Sequence, residues 1–239
     1  MLPSVNLPGG FLIHSYPFFL GISLAFFFKY SLKNNRKVNL FSSRLEVTFL
    51  LIVLPLIAFT GGRLFFQLID GDLSNLLNDF FYGGGLVFYG GYICSIIFIY
   101  FYCRLRNKAI GKLISFLPGV IFAHAIGRVG CFLAGCCHGN YCPLYFLDRW
   151  PTQLFEVGFL FVLGLKLKKR IEDNKNNNFF IYVLAYSVFR FLNEFLRGDE
   201  IRGIWHLGLS TSQIVSLVLF VLFGLAYLKE TFSTNSSET

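Results

Sequence analysis

Long apolar segments recur along the whole chain. A helix that crosses the hydrocarbon core of a bilayer needs about 20 mostly apolar residues. Seven segments have this character, of which the fifth is the shortest: residues 14–30, 45–69, 86–103, 113–133, 153–165, 179–196 and 209–228. Because the backbone polar groups of a spanning segment must be satisfied within that segment, each is expected to be a helix. The pattern predicts an all-α, polytopic membrane protein with seven transmembrane helices.

The charged residues are few and are unevenly placed. Only 14% of residues are charged, against 55% hydrophobic, whereas about a quarter of a soluble domain is charged. The net charge of +8 comes from basic residues that follow the first, third and fifth segments, at residues 29–44, 104–112 and 166–175. This alternation is a topology signal, and by the positive-inside rule it places the N-terminus outside and the C-terminus in the cytoplasm. We therefore expect no nucleic-acid partner.

The chain shows no internal division into domains. Its polar connections are short, and no repeat is apparent. Residues 1–232 are predicted to form a single seven-helix membrane domain. The polar residues 233–239 are predicted to form a disordered tail.

Apart from charges at the predicted cytoplasmic ends, the charged side chains within the apolar segments fall near the predicted outer ends of the helices. Ionisable residues in spanning segments cost about 2.5–3.5 kcal/mol each on insertion scales and usually face a bundle interior. Tyr186, Arg190, Glu194 and Arg197 share one helix face by their spacing. The full set at this depth is Arg63, Arg128, Gln153, Glu156, Arg190, Glu194, Arg197, Ser210 and Gln213.

The charges in this set are not balanced. Four arginines stand against Glu156 and Glu194. A positive surplus in a low-dielectric setting favours an anion, and the planar guanidinium suits phosphate, so a phospholipid headgroup is the expected ligand. The competing interpretation is an ordinary intrahelical pair of Arg190 with Glu194, together with Arg63 and Arg197 snorkelling to the interface.

Glycines accompany these polar residues. They precede Arg63, form a triplet at residues 83–85, follow Tyr89 as Gly90 and Gly91, and flank Arg128. Small residues allow helices to approach closely. Glycine-rich turns can also present backbone N–H groups to an anion.

Thiols and an imidazole cluster after the fourth apolar segment, as Cys131, Cys136, Cys137, His138 and Cys142. Three interpretations are open. The first is a disulfide within the loop from Cys136 to Cys142, since the outer compartment is usually oxidising. The second is a zinc site, although the spacing lacks a two-plus-two ligand pattern. The third is a set of reactive thiols.

Seven segments together resemble the prolipoprotein diacylglyceryl transferase family. They occur in the family's order across nearly the whole chain. They are HSYPFFLG from His14, GGRLFF from Gly61, GGLVFYGG from Gly84, GRVGCF from Gly127, PTQLFE from Pro151, RFLNEFLRGD from Arg190 and LSTSQIVSL from Leu209. Three positions depart from the family pattern: Tyr89 stands where the family has a histidine, Cys131 where it has an asparagine, and Cys136 where it has an acidic residue.

The resemblance implies a reaction and its substrates. Members of this family are bacterial cytoplasmic (inner) membrane enzymes that move diacylglycerol from phosphatidylglycerol to the lipobox cysteine of a prolipoprotein, releasing glycerol phosphate. The implied partners are phosphatidylglycerol, the prolipoprotein signal peptide and the bilayer, with the active site on the outer side. No cofactor is expected. The alternatives are a thiol-redox or metal-dependent membrane enzyme on the same scaffold, and a non-enzymatic phospholipid-binding protein.

The resemblance also implies roles for particular residues. Arg128 and Arg190 would hold the headgroup, Glu194 would orient an arginine, and Tyr16 and Tyr89 would lie near the reacting carbon. These five are the expected catalytic residues. The expected substrate-binding residues are Arg63, Arg197, Gly90, Gly91, Gln153, Glu156 and Gln213. Tyr89 is a poor base near neutral pH, and His124 and His138 are the candidate substitutes for accepting the thiol proton.

Overall fold

The structure, a computed structural model, describes residues 4–6, 12–70, 88–143, 148–198 and 208–236. These residues are largely helical. The α-helices are α1 (Ser15–Val38), α2 (Arg44–Asp70), α3 (Phe88–Leu105), α4 (Leu117–Ala134), α5 (Thr152–Glu172), α6 (Asn178–Phe195) and α7 (Thr211–Ser236). A 3-10 helix (Ile110–Phe116) precedes α4, and two short strands, β1 (Ser4–Asn6) and β2 (Leu12–His14), pair antiparallel before α1.

Each predicted apolar segment coincides with one α-helix. Helix α5 continues past the predicted end at residue 165 as far as Glu172, with Lys169 and Arg170 in its last turn. Cations there interact favourably with the helix dipole. Helix α7 reaches Ser236 and therefore includes the start of the predicted tail. The strand pair was not predicted, because three-residue strands are too short to show a clear alternating pattern.

The helices differ in how well their length and composition suit a bilayer. Three stretches of the described chain are long and apolar enough to cross a membrane: Arg44–Gln67, Ile110–Ala134 and Thr211–Glu230. Gly90–Leu105 is a shorter apolar helix. Large apolar side chains are widely exposed, among them Leu56 at 61% and Leu225 at 62%. Contiguous exposed apolar surface of this kind is unfavourable in water and is suited to lipid.

The chain divides into two compact units, which are described separately. The first unit contains Met1–Phe27 and Ile114–Thr239, and the second contains Phe28–Leu113. The single-domain assignment of residues 1–232 stays a prediction.

In the first unit, α4, α5 and α6 surround an apolar core. Its buried members are Ile121, Ala125, Leu160, Leu163 and Leu167. Helix α1 packs closely on α4: a Cβ added to Gly130 would lie 2.7 Å from that of Phe19. The glycine after Arg128 is therefore used for helix packing.

In the second unit, α2 and α3 pack through glycines. A Cβ on Gly61 would lie 2.7 Å from Cys94 Sγ, and one on Gly90 would lie 2.6 Å from the Gly61 carbonyl oxygen. Gly91 likewise meets the carbonyl oxygen of Ala58. These contacts give the glycines of GGRLFF and GGLVFYGG a structural use. The triplet at residues 83–85 lies outside the described residues.

Candidate functional site

Glu156 is the centre of a buried polar network that joins α4, α5 and α6. Its side chain is only 2% exposed, and its Oε2 lies 3.0 Å from Nε of Arg128. Its Oε1 accepts a hydrogen bond from the Tyr186 hydroxyl at 2.7 Å and lies 3.5 Å from Nε2 of His124. His124 and Arg128 are four residues apart and so share one face of α4. One carboxylate thus links side chains of three helices.

Glu194 is the centre of a second network, which lies mainly on α6. Its Oε2 is 2.9 Å from Nη2 of Arg190 and 3.7 Å from Nη1 of Arg197. Nη2 of Arg190 also donates a hydrogen bond to Ser212 Oγ on α7 at 3.3 Å. Glu194 therefore orients two arginines, one more than the family resemblance implied.

A narrow, partly open polar cavity lies between the two networks. Arg128, Glu156, Arg190 and Arg197 contribute its charged lining. The remaining lining residues are polar or carry a thiol: Cys137, Thr152, Gln153 and Asn193. The lining is thus almost entirely polar, in a unit whose helices expose many apolar side chains.

The loop that carries the cysteines is held between two neighbouring segments. Gly139 N donates to the Trp150 carbonyl oxygen at 3.0 Å, and Asn140 N donates to the Leu196 carbonyl oxygen at 2.8 Å. A Cβ on Gly139 would lie 2.5 Å from the Cβ of Trp150. The loop therefore requires glycine at this close approach.

Side chains in the first turn of α5 donate hydrogen bonds to the backbone of the same loop, beside the cavity. Thr152 Oγ1 donates to the Cys137 carbonyl oxygen at 2.8 Å, and Gln153 Nε2 donates to the Cys136 carbonyl oxygen at 2.5 Å. Asn193 Nδ2 on α6 donates to the Thr152 carbonyl oxygen at 3.3 Å. Gln153, predicted to bind substrate, thus lines the cavity and also anchors the loop.

The six cysteines are all thiols, so the disulfide favoured for the loop from Cys136 to Cys142 is not present. Cys136 is exposed while Cys142 is only 1% exposed, so the two side chains have different surroundings. The Cys136 thiol instead donates to the Cys131 carbonyl oxygen at 3.5 Å. Within the described ranges, no three His, Cys, Asp or Glu side chains form a group that could hold a metal ion.

The Cys136 sulfur is partly desolvated by neighbouring protein groups although its residue is exposed. This desolvation, together with the adjacent Cys137 thiol, raises the pKa of the Cys136 thiol above its ordinary value. The thiolate fraction of Cys136 near neutral pH is correspondingly low.

Several predicted site residues are not among the residues that line the cavity. Arg63, Gly90 and Gly91 belong to the second unit, where the Arg63 guanidinium lies 5.8 Å from the Phe59 ring centroid. Tyr16, in the first turn of α1, is 44% exposed. The side chain of Tyr89 lies outside the described residues. Substrate contacts for these residues stay predictions.

Gln213 has a structural partner that the sequence analysis missed. Ser210 N donates to Gln213 Oε1 at 2.9 Å, and Gln213 N donates to Ser210 Oγ at 3.2 Å. This is a reciprocal capping box at the start of α7. The spacing Ser-x-x-Gln before an apolar run is its sequence signal, and it was available from the sequence.

Other residues near the cavity were also missed as site residues. Tyr186 was recognised only as sharing a face with Arg190, and its four-residue spacing was the available signal. Thr152, Asn193 and Ser212 carry no comparable pattern, because their roles depend on contacts between helices.

The net charge of the groups at the cavity suits a singly charged anion. Three guanidinium groups line the cavity, and the two carboxylates of Glu156 and Glu194 pair with them. One positive charge is left over. Arginines held in fixed orientations by carboxylates can present their other N–H groups to phosphate oxygens.

Comparison with known proteins gives one consistent match. The family profile described as prolipoprotein diacylglyceryl transferase matches residues 4–229. A phosphatidylglycerol–prolipoprotein diacylglyceryl transferase of Clostridium tetani is 35% identical, and the match covers 68% of this chain and 72% of the relative. A second, from Clostridium perfringens, is 33% identical over 90% of this chain and 89% of the relative.

A third relative of the same name, from Streptococcus uberis, is 34% identical over 74% of this chain and 75% of its own length. The segments that carry Arg128, Glu156, Arg190 and Glu194 all lie within the span that the family profile matches. The chain belongs to the prolipoprotein diacylglyceryl transferase family.

Proposed function

We propose that this chain transfers the diacylglyceryl group of phosphatidylglycerol to the lipobox cysteine thiol of prolipoproteins. The observation that carries the proposal is the cavity lined by Arg128, Arg190 and Arg197, with one positive charge in excess. Family membership supports the same reaction, because its relatives bear the name of that transferase. The metal-dependent and thiol-redox alternatives gain nothing from these names.

The reaction makes a particular demand on the site. The substrate sulfur forms a bond to the glycerol carbon that carries the phosphate ester, and the bond between that carbon and the ester oxygen breaks. The electron pair leaves with glycerol phosphate, whose charge rises from about −1 to about −2. Fixed hydrogen-bond donors aimed at the charge that develops in the transition state commonly make the largest single contribution to catalysis.

The arginines meet this demand in two different ways. Arg128 is held by a carboxylate from another helix, and Arg190 by one on its own helix. In both cases a buried glutamate fixes the guanidinium before substrate arrives. Preorganised donors of this kind need little rearrangement as charge develops on the phosphate.

The arrangement of the helices supports an outward-facing site within a seven-span topology. The cavity residues lie toward the ends of α4 and α6 and at the start of α5, with Ser212 at the start of α7. These positions belong to one end of the bundle if the four helices alternate in direction. The basic residues in the last turn of α5 support a cytoplasmic location for the opposite end, under the positive-inside rule.

The proposal also contains the substrate contacts that are predicted from the sequence. Tyr16 and Tyr89 would lie near the reacting carbon, and Arg63, Gly90, Gly91 and Gln213 would contribute to binding. The peptide partner is the signal peptide of a prolipoprotein. The enzyme would reside in the bacterial inner membrane, as a multi-pass protein.

The test is reconstitution with defined substrates. Purified full-length protein in phosphatidylglycerol nanodiscs is incubated with a lipobox peptide, and the peptide mass is measured. We expect the mass to rise by one diacylglyceryl group through a thioether that resists hydroxylamine. The matched control is a peptide with serine in place of the lipobox cysteine.

Two outcomes would contradict the proposal. An unmodified cysteine peptide, with phosphatidylglycerol still bound to the protein in native mass spectrometry, would favour a lipid-binding protein. Modification of the serine peptide at the same rate would show that the acceptor is not the thiol.

A further inference from the structure

Cys137 is placed inside the cavity by its backbone and by the segments around it. Its φ of 57° lies in the left-handed region, which is uncommon for a residue other than glycine. Thr152 holds its carbonyl oxygen at 2.8 Å. Strained residues that are held by their surroundings cluster at functional sites. The side chain lines the cavity together with the three arginines.

The sulfur of Cys137 has surroundings that stabilise a thiolate. Nη2 of Arg197 donates to it at 3.5 Å. An adjacent guanidinium that donates a hydrogen bond favours the ionised form of a cysteine. The titratable or charged groups around it are Tyr16 on α1, Arg128 and Cys131 on α4, Cys136 in the loop, Glu156 on α5, and Arg190 and Arg197 on α6.

Few of the cavity's described side chains can take a proton from a thiol. Arginine stays protonated, and threonine, glutamine and asparagine do not titrate. Glu156 is engaged by Arg128 and Tyr186, and carboxylates are ordinarily about four units less basic than thiolates. A thiolate is basic enough to accept the proton of the substrate thiol, and a general base works best when its pKa lies near the operating pH.

We propose that the Cys137 thiolate is the general base that deprotonates the substrate thiol. This proposal rests on the proposed transferase function. The proton moves from the substrate sulfur to Cys137 Sγ, and the substrate thiolate attacks the glycerol carbon. The electron pair of the broken C–O bond leaves with glycerol phosphate. The proton then passes from Cys137 to the phosphate monoester or to water, which regenerates the thiolate.

The proton transfer is also favourable for the charge of the site. When the phosphodiester is bound, it and the Cys137 thiolate each carry about one negative charge. When Cys137 takes up the proton, its negative charge is lost as the phosphate acquires its second one, so the net charge of the cavity does not change. Base catalysis and leaving-group stabilisation are therefore coupled at Arg197, which contacts Cys137.

The test is the pH dependence of kcat/KM for the lipobox peptide, with the full-length protein in phosphatidylglycerol nanodiscs. For Cys137→Ser we expect a fall of about 100-fold or more near neutral pH. In the wild type, kcat/KM should fall at low pH as Cys137 becomes protonated. In Cys137→Ser this midpoint should disappear, and kcat/KM should instead rise steadily with pH as the substrate thiol ionises. The matched control is Cys142→Ser, a buried thiol of the same loop outside the cavity lining, which should stay within about threefold of wild type.

A measurement on the wild-type protein tests the proposal even if the Cys137→Ser variant does not fold. The rate of Cys137 alkylation by iodoacetamide, followed by peptide mass spectrometry, should rise through the same midpoint as kcat/KM. An active wild type with an equally active Cys137→Ser, or with alkylation and activity at different midpoints, would overturn the proposal. An inactive wild type would instead refute the transferase function, and the base role with it.

Discussion

The two buried glutamates of the first unit perform different tasks. Glu156, 2% exposed, joins side chains from α4 and α6 to its own helix α5. Glu194, 1% exposed, pairs with two arginines that lie three and four residues away on α6. The first carboxylate depends on how helices pack, whereas the second depends mainly on the order of residues in one helix. Both carboxylates nevertheless hold arginines that line the same cavity.

The difference matters for what each pair contributes to stability. Removing one partner of a buried ion pair commonly costs about 3–5 kcal/mol, because it leaves the other charge uncompensated. Arg128 has Glu156 as its described ionic partner, while Glu194 retains a second arginine if either partner is removed. The Glu156 network should therefore be the more sensitive of the two.

The largest expected effects are those of replacing Arg128 and Arg190, and the two variants should differ in stability. Arg128→Ala and Arg190→Ala should each lower kcat/KM by about 1,000-fold or more, since each removes a donor to the leaving phosphate. Arg128→Ala should also lower the melting temperature clearly, because Glu156 then loses its cation. Arg190→Ala should insert and melt nearly as wild type.

Arg149→Ala is the matched control for both arginine variants. This arginine is exposed and contacts His138 outside the cavity lining. Full activity is expected for it. Wild-type activity in Arg190→Ala, measured with the same nanodisc assay, would contradict the assigned role.

The second prediction compares the carboxylates directly. Glu156→Gln should destabilise the detergent-solubilised protein by about 3–5 kcal/mol, with loss of activity. Glu194→Gln should cost less, since its arginines keep Ser212 and Cys137 as partners. Thermal unfolding checks the order. An equal or reversed order would remove the distinction between the two networks.

A smaller effect should follow from Tyr186→Phe. The substitution removes the hydroxyl that donates to Glu156 at 2.7 Å, and hydrogen bonds to charged groups contribute about 1.5–3 kcal/mol. Its effect on stability should not add to that of Glu156→Gln, because both remove the same contact. Additivity in the double variant would show that the hydroxyl acts elsewhere.

The smallest effect is expected for Ser212→Ala. Its hydroxyl accepts from Arg190 at 3.3 Å, and Glu194 holds the same guanidinium more closely. We expect KM for phosphatidylglycerol to rise by about threefold or less, with kcat unchanged. Ser216→Ala, one turn further along α7, is the control. A fall in kcat would mean that Ser212 has a direct part in the reaction.

The helices and part of the site could be predicted from the sequence. Each apolar run specified a helix, and the four-residue and three-residue spacings on α6 specified the pairs of Glu194. The contacts of Glu156 could not be predicted, because a single sequence does not state which helix faces meet. Arg63 was grouped with the other arginines by depth alone, and it belongs to the second unit.

The loop after α4 shows a further limit. An oxidising outer compartment favoured a disulfide there, yet its cysteines are free, and the Cys136 thiol donates to the Cys131 carbonyl oxygen. The loop's path depends on backbone hydrogen bonds to Trp150 and Leu196, which are distant in sequence. The capping box of Ser210 and Gln213, in contrast, was readable from spacing.

The most direct test of the central claim is a 31P NMR time course of the wild type with phosphatidylglycerol and lipobox peptide. We expect the phosphodiester signal to decline while the signal of the glycerol phosphate monoester grows, in an amount equal to the thioether product. The same sample with Arg190→Ala should show neither change. A thioether product without the monoester, or turnover that survives Arg190→Ala, would contradict the account.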